Sequence, residues 1–220
     1  MILSILEVGV AFYVLEFAFV LTVPKLLPGT AGQKGVYRYT LAFPNVGFIG
    51  YPVAVALYGE GALFYAAILA LPFNLLSYSP CIVASVLGLV LALTRLRPPA
   101  IVGEMLDFVG SITVPLSLLV VGSLLAHMSP GKVLRSPKLW VLSVLRLLVM
   151  PALLCLVLRG MHIEAMVLGI AVSQMGMPVA VNGTLLSMEY GGDTEAMAQV
   201  TFLTTLGAIV TIPVLAAVLL

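Results

Sequence analysis

The sequence predicts an all-α membrane protein of about eight transmembrane helices, and three observations carry that reading. Hydrophobic residues make up 62% of the 220 and charged residues only 9%, where a soluble domain carries about 25% charged residues. The apolar residues fall in runs close to the ~20 residues a helix needs to cross the hydrocarbon core. These runs are continuous rather than alternating, which excludes an outer-membrane barrel.

Reading apolar windows against breakers gives spans at roughly 2–24, 36–58, 61–79, 80–94, 106–127, 139–158, 163–188 and 195–220. The punctuation falls between them: Pro28-Gly29, Gly59-Glu60-Gly61, Arg97-Pro98-Pro99, Ser129-Pro130-Gly131 and Gly191-Gly192-Asp193. The stretch from Gly61 to Thr94 is too long for one span. A turn at Ser77-Tyr78-Ser79-Pro80 divides it, because proline ends or kinks a helix. The start of the chain lacks a basic region and a small-residue cleavage site, so no removed signal peptide is expected.

Lys25, Lys34, Arg38, Lys132, Arg135 and Lys138 fall on one side of this topology, and Arg95, Arg97 and Arg159 on the other. The positive-inside rule makes the first side cytoplasmic, which puts both termini outside. The location implied is a cell membrane crossed many times, of the prokaryotic plasma or inner-membrane type, with the lipid bilayer as the principal partner. A formal charge of +1 leaves no basic surface for nucleic acid. Cys81 and Cys155 sit inside apolar runs and read as packing residues, with no metal-site spacing; no cofactor is implied.

Two spans are interrupted. Phe43-Pro44-Asn45-Val46-Gly47-Phe48-Ile49-Gly50-Tyr51-Pro52 concentrates prolines, glycines and an asparagine in the second, and Ser173-Gln174-Met175-Gly176-Met177-Pro178-Val179-Ala180-Val181-Asn182-Gly183 does so in the seventh. Both contain Pro-Val-Ala-Val, and both run on to a Tyr-Gly pair, Tyr58-Gly59 and Tyr190-Gly191. Paired Gly/Pro-interrupted spans point to a transporter's midplane binding site. Broken helices leave N-termini with free N–H groups, which favour an anionic group such as a carboxylate. The competing reading is a pair of packing kinks, since glycine and proline are common in membrane helices; the matched pair favours the site.

The first of these segments, followed by Leu57-Tyr58-Gly59-Glu60-Gly61, resembles the N-x-G-F-x-G-x-P…G-x-x-G block of the auxin efflux carrier family, which includes plant PIN carriers and bacterial malonate or malate permeases. Gly110 to Ala126 is similar to its P-L-x-L-x-x-x-G-x-x-L stretch. Met177-Pro178 through Tyr190-Gly191, Thr204-Thr205 and Ile212-Pro213 resemble its last two spans. The resemblance implies a secondary transporter of two inverted five-span repeats whose fourth helices break and cross near the substrate. On that template residues 1–79 form a partial first repeat and 80–220 the second, with the first two family spans and the central loop missing. The implied partners are a small organic anion, protons or sodium as coupling ions, and a homodimer mate. The substrate is expected around residues 43–52 and 173–183, at Asn45, Gly47, Gly50, Pro52, Gln174, Pro178 and Asn182. Asn45 leads this set, because an amide offers both donors and an acceptor to a carboxylate.

Ionisable residues inside a span are functional hypotheses by default. Glu16 is a candidate proton carrier. Glu7 is nine residues away, about 180° around the helix, and near enough to an end to reach the interface. Arg146 cannot practically deprotonate; it supplies positive potential to an anion path or pairs with a buried acid or carbonyls. Asn74 and Thr204 read as helix–helix hydrogen bonders, and His127 and His162 as interfacial. One rival is a non-transporting remnant or subunit that needs a partner. Another is an intramembrane enzyme, for which no catalytic constellation is found; Gly191-Gly192-Asp193 resembles part of an aspartyl-protease motif but lies in a loop without a second aspartate in a span.

Overall fold

A computed structural model of the chain describes residues 2–76, 86–88, 90–91, 94, 99–126, 136–161 and 163–219. It is built of helices: α1 (Ile2–Leu26), α2 (Ala31–Ala42), α3 (Tyr51–Tyr58), α4 (Ala62–Leu76), α5 (Ala100–Ala126), α6 (Pro137–Val144), α7 (Met150–Arg159), α8 (Ala165–Met175), α9 (Asn182–Glu189) and α10 (Thr194–Leu219). Two π-helical turns, Val46–Gly50 and Leu145–Val149, lead directly into α3 and α7. Each lies just ahead of a proline at the start of the next helix, Pro52 and Pro151. Proline withholds an N–H from the helix ladder, and the wider turn re-pairs the backbone there.

Among the described residues, three helices are long and apolar enough to cross a membrane, Ser4–Leu26, Pro137–Arg159 and Thr194–Leu219, with shorter apolar helices at Val46–Tyr58, Ala62–Phe73 and Ala165–Met175. Helix α1 shows the membrane pattern plainly. Leu6, Val10, Val14, Phe17 and Leu21 stand exposed along one stripe, while Ile5, Val8, Phe12 and Glu16 are buried on the other. An apolar stripe of this kind, facing away from the protein, belongs in lipid.

The centre of the bundle is α8, buried from Gly169 to Met175. It packs against α1, α3, α4 and α7. Helix α10 closes the other side against α2, α6 and α9, and α5 leans on α10.

Most of the apolar segments read from sequence fall on these helices, with changes of bounds; the fifth starts at Ala100 instead of 106. The second starts at Ala31 instead of 36, because Thr30 and Gln33 form a reciprocal capping box at its N-terminus. The sixth is a longer helix, Pro137–Arg159, with an unanticipated π-helical turn inside it. The span expected at 80–94, the turn at Pro80, and the expectations for Cys81, His127, His162 and the Asn74 side chain lie outside the described residues. So does part of the charge count that oriented the chain. Cys155 is half-buried against the core.

Candidate functional site: the crossing of two broken helices

Pro44 has no N–H to offer, so the carbonyl of Thr40 loses its helical donor. The next donor, Asn45 N–H, turns away from α2 and bonds to the Pro178 carbonyl at 2.7 Å. In return, Ala180 N–H donates to the Phe43 carbonyl at 2.9 Å. These two bonds make a one-residue antiparallel bridge between Pro44 and Val179. Each helix thus breaks where the other can pair with it. Non-helical backbone at membrane depth is tolerated only where protein or a cavity satisfies it, and here each break satisfies the other.

Three further groups complete the crossing. The Asn45 side-chain oxygen accepts from Phe48 N–H at 3.2 Å and caps the turn leading into α3. Thr204, on α10, accepts from Val179 N–H at 3.2 Å through its hydroxyl, which also donates to the Val200 carbonyl at 2.8 Å. Arg146, carried on the π-helical turn between α6 and α7, is fully buried. Its Nη1 donates to the Leu41 carbonyl at 2.8 Å and lies 3.4 Å from Glu16 Oε1, while Nε donates to the Met177 carbonyl at 3.3 Å. One side chain therefore holds the end of α2, the second break and α1 together.

Of the residues singled out from sequence, Asn45, Gly50, Gln174 and Pro178 are buried at or beside the crossing. A Cβ on Gly50 would stand 3.4 Å from Met177 Cγ, so the two breaks pack closely there. Gly47, Pro52 and Asn182 are exposed, and Gly47 has no atom of another element within 4 Å of where its Cβ would be. Glu7 is exposed on the face of α1 away from Glu16, which is 4% exposed. Glu16 and Arg146, weighed separately from sequence, form one ion pair. Thr204 is a helix–helix hydrogen bonder as expected, and its partner is the second break itself. Sequence reasoning left open which carbonyls Arg146 reaches; they are those of Leu41 and Met177.

Some hydrogen-bonding capacity is left over. Among the described residues, Gln174 Nε2, Gln174 Oε1 and Arg146 Nη2 are buried with no partner. Arg146 reaches the Met177 carbonyl through Nε, and the Met177 N–H bonds to the Gln174 backbone carbonyl at 3.2 Å, so both residues belong to the second break. A cavity of about 400 Å³ borders the first break at Phe43, walled also by Tyr13, Tyr39 and Phe73, with Glu16 and Arg38 as its charged groups; Gln174 and Arg146 are not among its lining residues. That volume lies within the ~300–1,000 Å³ typical of small-molecule sites.

Residues 66–216 of the chain match the family described as "Membrane transport protein", and no curated protein matches the chain. The matched stretch contains Arg146, Gln174, the second break and Thr204. The first break and Glu16 precede it.

Proposed function

The chain belongs to the membrane transport protein family, the family of the auxin efflux carriers its motifs resemble, and from that premise we propose a secondary transporter that moves a small organic anion by alternating access. Membership makes the chain a membrane-embedded transport protein, in line with the expectation that it is not an enzyme.

The observation that carries the finer reading is the unspent hydrogen-bonding capacity at the crossing. A buried polar atom without a partner costs about 1–3 kcal/mol, so Gln174 and Arg146 Nη2 call for an occupant. A carboxylate supplies acceptors of the kind that the guanidinium and the amide N–H groups each lack, while Gln174 Oε1 calls for a donor such as water. The cavity beside Phe43, bordered by Glu16, the ion-pair partner of Arg146, offers aromatic walls for the apolar part of the anion. Asn45 keeps the first break in shape by capping, and the hydrogen-bonded crossing moves together with α10 and the Arg146 turn, which hold it, against the other helices. In this reading the chain has about eight spans, the repeats are 1–79 and 80–220, and both termini lie outside.

The test is uptake of labelled malonate, malate and indole-3-acetate into liposomes holding the purified chain, comparing wild type with Gln174→Leu. Saturable uptake that falls at least tenfold in the variant is the expected result. Unchanged uptake in Gln174→Leu would move the anion away from the crossing. Folded protein that carries none of the three would favour a subunit that requires a partner chain.

A further inference from the structure

Arg146 is surrounded as a bound metal cation would be. Two backbone carbonyls, Leu41 and Met177, and the Glu16 carboxylate face its guanidinium, with Met150 Sδ at 4.0 Å. Both carbonyls are products of the breaks. Leu41 would ordinarily receive Asn45 N–H, which instead bonds to Pro178. Met177 lies just past the end of α8, in the unwound segment. Half-helix C-termini carry roughly half a negative charge each, and in transporters with discontinuous helices these ends and their unwound carbonyls are what coordinates a coupling sodium ion. Here the cation among them is tethered to the chain.

We propose that Arg146 is a built-in counter-cation: its guanidinium fills the position between the two breaks that a coupling sodium ion would otherwise occupy, and closes it to sodium. Three features argue for substitution rather than ordinary pairing. The ligands are carbonyl and carboxylate oxygens, the set that suits a hard cation. They come from three separate elements, α1, the end of α2 and the second break, so only a charge at the centre reconciles them. The residue is fully buried and, unlike lysine, cannot lose its proton to leave the site neutral. The meaning of this for a transport cycle rests on the reading above: the crossing cannot load and unload a cation here, so any ion coupling must act elsewhere. The electrostatic claim itself does not depend on the substrate.

The experiment is thermal unfolding of the purified chain with sodium chloride exchanged for choline chloride at constant ionic strength. Neither the wild type nor Arg146→Lys is expected to show a sodium response that depends on Glu16. Arg146→Ala is expected to gain about 3–6 °C, saturably, at roughly ten times the dissociation constant of added sodium or ethylguanidinium. Adding Glu16→Gln to that variant should remove the gain. A saturable sodium response in the wild type or in Arg146→Lys that Glu16→Gln abolishes overturns the proposal, and neither measurement depends on Arg146→Ala folding. A folded Arg146→Ala that responds to neither cation overturns it as well. Because stability is the readout, failure of anion uptake leaves this inference standing, and such a Glu16-dependent sodium response with intact uptake sinks it alone.

Discussion

The two breaks do the same job by different means. The first spans Phe43 to Asn45, is followed at once by a π-helical turn, and is capped by its own asparagine. The second runs from Gly176 to Val181, is buried throughout, and borrows its support: Thr204 from α10, and Arg146 from the turn before α7, which also reaches the Leu41 carbonyl ahead of the first break. The first leads out to Gly47 and Pro52, both exposed, and borders the aromatic cavity. The second is enclosed by other helices. A self-capped break can change its surroundings and keep its shape, whereas a break held by its neighbours must move with them. On this comparison the second break is the anchor of the crossing and the first is its adjustable edge.

The sharpest way to break that distinction is Arg146→Met in sodium-free buffer. It leaves the Glu16 charge buried and two carbonyls uncompensated, and removing one partner of a buried pair costs about 3–5 kcal/mol. The double variant Glu16→Gln/Arg146→Met should recover part of that loss. Thermal unfolding of the three proteins measures both effects; a single variant as stable as wild type would show that the second break does not lean on this side chain.

A smaller effect compares the caps. Thr204→Val leaves Val179 N–H buried without its acceptor, at about 1–3 kcal/mol. Asn45→Ala removes a local cap worth about 1 kcal/mol. Unfolding midpoints should therefore fall further for Thr204→Val, while uptake should suffer more from Asn45→Ala. The reverse order in stability would make the first break the anchor.

The smallest effect separates two glycines of the adjustable edge. Gly50→Ala presses a methyl against Met177 and should cost about 1 kcal/mol, the low end for overpacking. Gly47→Ala points into open space and should stay within about 0.5 kcal/mol of wild type. Equal losses would mean that Gly47 is covered in the folded protein.

Much of this architecture is legible in the sequence, and the reason is local. A helix in lipid writes itself as an apolar run, and a broken one carries its prolines and glycines with it. Even the end of each second half is written: α3 stops at Tyr58-Gly59 and α9 near Tyr190-Gly191, with Gly59 at φ 80° and Gly191 at φ 66°, a backbone region that suits glycine. The Thr30–Gln33 capping box is equally local, but it lies in polar sequence, where a span defined by hydropathy does not extend. What was not legible is pairing over distance. Glu16 and Arg146 are 130 residues apart, and nothing in either neighbourhood names the other. Gln174 could be placed in the second break from sequence, but that its amide has no partner among the described residues follows only from the packing of the elements around it.

The Pro44–Val179 bridge also sets a schedule for the chain's birth. Its two ends are 135 positions apart, so at roughly 5–20 residues per second the second is synthesised about 7–27 s after the first. Until then Asn45 N–H and Phe43 C=O must shelter in the insertion machinery, in water, or in makeshift contacts, because hydrocarbon offers them nothing. Neither half can complete its break alone. The nascent chain therefore carries an open wound in its second span for most of its synthesis, and any quality-control system that recognises polar backbone within the bilayer has that interval in which to find it.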